Sequence, residues 1–132
     1  MTRLIVETSR IADIPVLTLL PAAAKRAPVV FYVPGYGVGK ETGIALGYRI
    51  AAAGAAFVAF DPLWHGERFD RRLFEAADPA LGGIYPPETG LDIFATFYRV
   101  IGQCLEDVRT LLAHLADDPR LSLRASATLT WI

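Results

Sequence analysis

Apolar residues form short runs in the first half of the chain and a long helical stripe near its end. Two stretches, RLIVET at 3–8 and PVLTLL at 15–20, flank a turn around Asp13, and this pattern predicts a β-hairpin. Two later runs, PVVFYV at 28–33 and AFVAFD at 56–61, are apolar almost throughout, as is typical of strands buried on both faces. The pattern therefore predicts a hairpin followed by strands of a buried sheet.

The segments between and after these strands have helical periodicity. Residues 40–53, KETGIALGYRIAAA, predict a helix that ends at Gly54, and a helix between two buried strands implies a right-handed crossover and a parallel pair. A long loop from Pro62 to Gly90 follows, in which RRLFEAA predicts a short helix. An apolar stripe then predicts one helix of about 25 residues. The stripe consists of Leu91, Phe94, Tyr98, Ile101, Leu105, Val108, Leu112 and Leu115.

The spacing of this stripe also fits a coiled coil, so the width of the apolar face decides between the two interpretations. Further apolar residues widen the face beyond a narrow seam, which favours a helix packed on a sheet. These residues are Ile93, Phe97, Val100, Cys104 and Leu111. DDPR then ends the helix, and SATLTWI at 126–132 predicts a final strand. The whole pattern predicts one α/β domain over residues 1–132.

Composition narrows the function classes. Of the 132 residues, 53% are hydrophobic and 20% charged, which excludes a disordered chain, and a net charge of -1 gives no case for nucleic acid or an anionic membrane. The single cysteine, Cys104, forms no intrachain disulfide and fits core packing. Glu7 and Asp13 precede the apolar segment IPVLTLLPAAA and argue against a signal peptide. We expect a cytoplasmic protein with small neutral partners and no cofactor.

The glycine-rich stretch YVPGYGVGKET at 32–42 follows a predicted strand and precedes a predicted helix, so its ligand is either a phosphate or a developing oxyanion. A phosphate-binding loop of the Walker type has glycine where this chain has Pro34 and a hydroxyl where it has Glu41. The spacing of Gly35, Gly37 and Gly39 also misses the dinucleotide fingerprint by one residue. A small phosphate-binding or nucleotide-binding α/β domain stays an alternative, because a helix N-terminus attracts anions whatever the motif.

The stretch DPLWHGER at 61–68 carries the other candidate side chains. Asp61, His65 and Glu67 are too few for a metal site on a loop without cysteine or a second nearby histidine, so no metal is expected. We interpret Glu67 and Arg68 as pairing with neighbours and His65 as bracing the floor of a site. Aromatic residues on the long loop either wall an acyl or aryl pocket or form a satellite core. They are Trp64, Phe69, Phe74 and Tyr85.

Taken together, FYVPGYGVGKE, a helix, GAAFVAFDPLWHGERFD and a long helix ending in DPR resemble the N-terminal half of an α/β-hydrolase. More narrowly, they resemble esterases and peptidases related to prolyl oligopeptidase and dienelactone hydrolase. The resemblance implies a partial α/β-hydrolase sheet and an ester or acyl substrate. It also implies that the backbone N–H of Tyr36 forms half of the oxyanion hole, with Gly35, Gly37, Trp64 and His65 at the binding site. Pro34 stands where the family commonly has histidine.

The resemblance also predicts what to expect after DPR, where the family has the nucleophile motif Gly-x-Ser-x-Gly. This chain reads RASATLTWI, and Ser126 between two alanines does not match that motif. The acid and the catalytic histidine follow the nucleophile in the family's chain order. We therefore expect an incomplete domain that is inactive alone, with an open last strand that favours homo-oligomers. A non-catalytic binding or assembly module is the alternative.

Overall fold

The computed structural model of the chain describes residues 2–76 and 92–130. Five strands and three helices make up this part of the chain, with short 3-10 turns at Lys40–Gly43 and Gly66–Arg68. In chain order the elements are β1 (Leu4–Ile11), β2 (Ile14–Pro21), β3 (Ala27–Val33), α1 (Ile44–Ala52), β4 (Ala56–Phe60), α2 (Arg71–Ala76), α3 (Ile93–Leu115) and β5 (Leu121–Thr130).

The strands form one mixed sheet in the order β1-β2-β4-β3-β5. β1 and β2 are an antiparallel hairpin closed by Ala12 and Asp13, whose φ angles of 47° and 64° suit the tight turns that match strand twist. β2 is antiparallel to β4, whereas β3 lies parallel to both β4 and β5. The predicted hairpin and the predicted parallel pair are confirmed, and β5 is an edge strand beside β3.

The sheet is covered on both faces, which explains its apolar strands. One face packs against α3 through a core that includes Val16, Phe31 and Leu111, and the other packs against α1 through Phe57 and Ala51. All five residues of β4 are buried because this strand lies in the middle of the sheet, between the two helices. The α/β class predicted from the sequence is confirmed.

Two boundaries differ from the sequence prediction. The predicted helix at 40–53 begins as a 3-10 turn and becomes α-helical only at Ile44, and it ends before Gly54, which has a φ of 98°. The final strand begins at Leu121 rather than at Ser126, because Leu121 and Ser122 already pair with Ala27 and Pro28 of β3. The stretch LSLR at 121–124 alternates apolar and polar residues, which is a strand signal that the prediction did not use.

The long helix α3 is confirmed, but the prediction of its buried face was wrong in part. The Asp92 side chain caps it by accepting the N–H groups of Phe94 at 2.8 Å and Ala95 at 3.2 Å. Val100, Leu111 and Leu115 are buried against the sheet. Four members of the predicted stripe are exposed instead, namely Phe94, Tyr98, Ile101 and Leu105. The helix has two apolar faces in its first half, and the sequence alone does not say which one meets the sheet.

Two further predictions lie partly outside the described residues. Leu91, the first member of the stripe, and Gly90, the end of the long loop, are in the segment 77–91.

The short helix predicted by RRLFEAA is confirmed as α2 at Arg71–Ala76. Among the helices of residues 2–76 and 92–130, none has the length and apolarity required to cross a bilayer.

Candidate active site

Two loops meet at the carboxyl ends of the parallel strands β3 and β4. The glycine loop, residues 34–39, follows β3, and the β4 exit loop, residues 61–68, follows β4. Neighbouring parallel strands bring the loops at their carboxyl ends together, and this edge is where open α/β sheets bind ligands. The two loops contain all five residues that the sequence assigned to the site.

The glycine loop turns sharply at Tyr36. The N–H of Val38 donates to the carbonyl of Gly35 at 3.3 Å, which closes a turn with Gly37 at its third position. Gly37 has a φ of 79°, a conformation that L side chains rarely adopt, whereas Gly35 has room for a Cβ. Tyr36 is 62% exposed, and its N–H has no hydrogen-bond acceptor among residues 2–76 and 92–130. Within this described part, the turn therefore presents a backbone donor that has no acceptor.

The Tyr36 ring joins the glycine loop to its surroundings. It makes a T-shaped contact with His65 at 5.5 Å between centroids and lies 6.2 Å from Phe97 of α3. His65 is buried, and its Nδ1 is 2.8 Å from the carbonyl oxygen of Leu63, so the backbone orients its ring. This position beneath Tyr36 agrees with a bracing role for His65. The geometry brings together Tyr36 and His65, two of the residues that the sequence assigned to the site.

Lys40 lies in a charge cluster, here called the Lys40 cluster, with Glu41, Asp61 and Glu67; Lys40 and Asp61 are buried, whereas Glu41 and Glu67 are exposed. The Lys40 ammonium is 2.7 Å from Glu41 Oε1, 3.0 Å from Asp61 Oδ2 and 2.6 Å from Glu67 Oε2. These three carboxylates take all three N–H donors of the ammonium. The lysine that a phosphate-binding loop would use is therefore buried and engaged, which argues against the phosphate alternative.

The Lys40 cluster shifts the pKa values of its members. Burial lowers the pKa of Lys40, but the hydrogen bonds to Glu41, Glu67 and Asp61 outweigh burial and raise it above its ordinary value. The hydrogen bond from Lys40 lowers the pKa of Glu67. Both groups are therefore held in their charged forms at neutral pH. The carboxylates of Asp61 and Glu67, which the sequence had considered as metal ligands, bind an ammonium instead.

The two loops approach each other at glycines. A Cβ on Gly39 would lie 3.2 Å from the Cα of Gly66 and 2.9 Å from Glu41 Oε2. Gly66 has a φ of 50°, and a Cβ there would overlap the carboxylate of Asp61. Gly66 therefore requires glycine, because Asp61 fills the space that a side chain would occupy, whereas a side chain at Gly39 would need its neighbours to shift by a few tenths of an ångström.

The β4 exit loop is also tied to α3. The Arg68 guanidinium donates to the carbonyl of Asp61 at 3.0 Å and to Asp107 Oδ2 at 2.5 Å, and Gln103 donates to the other Asp107 oxygen at 2.9 Å. Asp107 is buried. The predicted pairing of Glu67 and Arg68 with neighbours is confirmed. The roles of Lys40 and Asp107 were not predicted, because each has other charged residues beside it in the sequence and nothing local marks it as buried.

Trp64 lies at the rim of the site in an unusual backbone conformation. Its φ is 63°, and the N–H of His65 donates to the carbonyl of Pro62 at 3.0 Å across the turn that holds it. The guanidinium of Arg99 lies 5.5 Å from the centre of the Trp64 ring. Strained residues of this kind cluster at functional sites. Of the other predicted wall residues, Phe69 is exposed, and Tyr85 and the Phe74 side chain lie outside the described residues.

Other groups in the described part offer little chemistry of their own. Cys104 packs against the core, and burial, followed by the charge of Asp107, raises the pKa of its thiol. A neutral thiol is a poor nucleophile at pH 7. Within residues 2–76 and 92–130, no group of three His, Cys, Asp or Glu side chains is arranged to hold a metal ion.

Comparison with solved structures identifies the fold. Over 98% of its length, the chain superposes on a protein assigned as a dienelactone hydrolase from Klebsiella pneumoniae, with a TM-score of 0.63 and 18% identity. Over 96% it superposes on the 2,6-dihydroxy-pseudo-oxynicotine hydrolase, with a TM-score of 0.61 and 16% identity. The chain therefore has the fold of part of an α/β-hydrolase.

These matches are partial on the side of the longer proteins. The chain spans 50% of the first hydrolase and 29% of the second. No protein-family profile matches the chain, and no curated protein does. The similarity therefore establishes the fold alone.

Proposed function

We propose that this chain supplies the oxyanion-hole half of an acyl hydrolase that acts on small-molecule esters. The observation that carries the proposal is the free N–H of Tyr36, presented by a tight turn at the carboxyl end of β3. Attack on an ester places negative charge on the former carbonyl oxygen, and a fixed N–H dipole stabilises that charge. Both structural neighbours are described as hydrolases, which supports the reaction class.

The proposal gives the other site residues supporting roles. The His65 ring makes a T-shaped contact with the Tyr36 ring, with 5.5 Å between centroids, and Trp64 precedes His65 in the β4 exit loop, so we assign these two rings to the wall that contacts the acyl or alcohol part of the ester. Gly37 permits the turn, and Gly35 accepts the hydrogen bond that closes it. The 132 residues contain no Gly-x-Ser-x-Gly, so the nucleophile and its base come from outside them.

A direct assay tests the incompleteness of the site. We expect the purified 132-residue chain not to hydrolyse an activated short-chain ester such as p-nitrophenyl acetate above the buffer rate, because half an oxyanion hole lacks a nucleophile. Turnover that a serine-directed reagent abolishes would show that the chain has a nucleophile after all. Reading the coding DNA beyond the codon for Ile132, in all frames, shows whether a Gly-x-Ser-x-Gly motif follows.

The role of the Tyr36 N–H requires a protein that contains the nucleophile. In such an extended protein, Tyr36→Pro removes the N–H, and kcat should fall by about 10²- to 10³-fold, as for the loss of one oxyanion donor. Tyr36→Ala is the matched control, because it removes the ring and keeps the N–H. Equal activity of the proline and alanine variants would exclude the backbone donor.

An assembly module is the second candidate function, and the exposed features beside the site favour it. β5 is an edge strand ten residues long, and the neighbouring helix α3 exposes Phe94, Tyr98 and Leu105. In the part of the chain that the structure describes, no strand lies beyond β5, and an edge of this kind can pair with the same strand of a second copy and so continue the sheet. We propose a homo-oligomer through β5. Sedimentation velocity should then show concentration-dependent association, and a monomer at all concentrations would count against it.

A further inference from the structure

Lys40 joins the end of the glycine loop to the β4 exit loop at two points. Its backbone N–H donates to Asp61 Oδ1 at 2.8 Å, and its ammonium donates to Asp61 Oδ2 at 3.0 Å. One carboxylate therefore holds both the main chain and the side chain of the residue that follows the loop. A single hydrogen bond would leave the loop free to rotate about it, whereas two bonds to one rigid group fix its orientation.

Asp61, which we call the anchor of the glycine loop, is rigid because its carboxylate is buried and fully hydrogen-bonded. Asp61 has no exposed surface and accepts a third bond from the N–H of Glu67 at 3.0 Å. The Lys40 side chain is 2% exposed, and all three of its donors are used within the Lys40 cluster. Charge-assisted bonds of this kind are short and strong. No donor remains for a ligand, so the part that Lys40 plays is internal to the protein.

The anchor extends from the two loops to α3. Arg68 donates to the carbonyl of Asp61 and to Asp107 of α3, and Phe97 of the same helix contacts the Tyr36 ring. These contacts connect the glycine loop, the β4 exit loop and α3 to one another. The position of Tyr36 in the glycine loop is therefore fixed relative to the other two elements.

We propose that Lys40 is a positioning residue, which holds the glycine loop so that the Tyr36 N–H stays where the oxyanion forms. This inference rests on the proposed oxyanion function for its purpose. A loop with three glycines in five positions has a large conformational freedom of its own. An oxyanion donor is effective only if it is already oriented before charge develops, so the loop requires an external anchor.

Backbone dynamics of the 132-residue chain test the proposal without any turnover. The double variant Lys40→Met, Asp61→Asn removes the buried ion pair together, so that neither charge is left buried alone. In the unaltered chain we expect NMR order parameters of about 0.85 for Tyr36 and Gly37, typical of rigid backbone. In the double variant these should fall below about 0.6, while the amides of β3 and β4 keep their values.

A matched control separates positioning from general stability. Arg120→Met removes an ion pair with Glu7 and Asp118 far from the loop, and it should lower the melting temperature without changing the order parameters of Tyr36 and Gly37. If the double variant does not fold, Glu67→Gln, which weakens one contact of the ammonium at a half-exposed residue, should lower the same two order parameters by a smaller amount.

Unchanged order at Tyr36 and Gly37 in a folded variant would overturn the proposal, because the loop would then be held by its own turn. The measurement is independent of the proposed function. If the loop loses order but Tyr36→Pro leaves the activity of an extended protein intact, the positioning role stands and the oxyanion role fails.

Discussion

The corner between the glycine loop and the β4 exit loop differs sharply from the outer face of α3. At the corner, three charged side chains, those of Lys40, Asp61 and Asp107, are buried, and each has a partner of opposite charge. On the outer face of α3, large apolar side chains such as Tyr98 and Leu105 are exposed. Polar groups are inside and apolar groups outside, the reverse of the usual distribution. The first arrangement fixes a geometry, whereas the second leaves apolar side chains exposed.

The largest expected effect is at Asp61. Asp61→Ala removes the one fully buried carboxylate of the Lys40 cluster and the acceptor of two backbone N–H groups, and we expect a loss of about 3–5 kcal/mol in the free energy of unfolding. Urea denaturation measures it. The control is Glu106→Ala, which removes the exposed pair with Arg109 and should change stability by no more than about 0.5 kcal/mol. Similar values for the two variants would mean that the corner is solvated.

Two leucines of α3, one buried and one exposed, test the difference between the two faces of this helix. Leu111 is fully buried, and Leu111→Ala should cost about 2–5 kcal/mol. Leu105 is 62% exposed, and Leu105→Ala should change the free energy of unfolding of the monomer by less than about 0.5 kcal/mol. The same denaturation experiment, at low protein concentration, measures both. A large loss at Leu105 would show that its face is covered.

A smaller effect is expected at Trp64, whose φ of 63° is unfavourable for any residue with a Cβ. Trp64→Gly and Trp64→Ala both remove the ring contact with Arg99, but only glycine relieves the backbone strain. The glycine variant should therefore be more stable than the alanine variant by about 1 kcal/mol. Thermal melting of the two proteins side by side checks this difference. A more stable alanine variant would show that the turn is relaxed.

The smallest effect concerns pH. The hydrogen bond from Lys40 lowers the pKa of Glu67, so Glu67 contributes stability above the unfolded carboxyl pKa of about 4.3. That contribution is lost as the pH falls through the lower pKa of the folded state. Melting temperatures of the unaltered chain and Glu67→Gln should therefore differ at pH 7 and converge towards pH 3. Glu75→Gln, at an exposed pair with Arg71, is the control and should show a small difference throughout.

The sequence predicted much of the fold because the relevant signals are local. Alternation and continuous apolar runs gave the hairpin and the buried strands, and Gly54 and Asp118 lie where the helices α1 and α3 end. The resemblance led to Tyr36 and His65, which the fold brings into contact. The sequence did not predict the pairing of Lys40 with Asp61, which are 21 residues apart and meet only because β3 and β4 are neighbours.

What the sequence by itself determined is the set of elements, their order and the α/β class, because helix and strand periods are properties of short segments. Which face of α3 meets the sheet, and which carboxylates surround Lys40, was decided only by the tertiary structure. Both depend on the relative placement of distant segments, since burial and charge pairing are set by neighbours in space. The presentation of the Tyr36 N–H depends on both the sequence and the tertiary structure. The sequence supplied the glycines of the turn, and the fold placed that turn at the carboxyl end of β3.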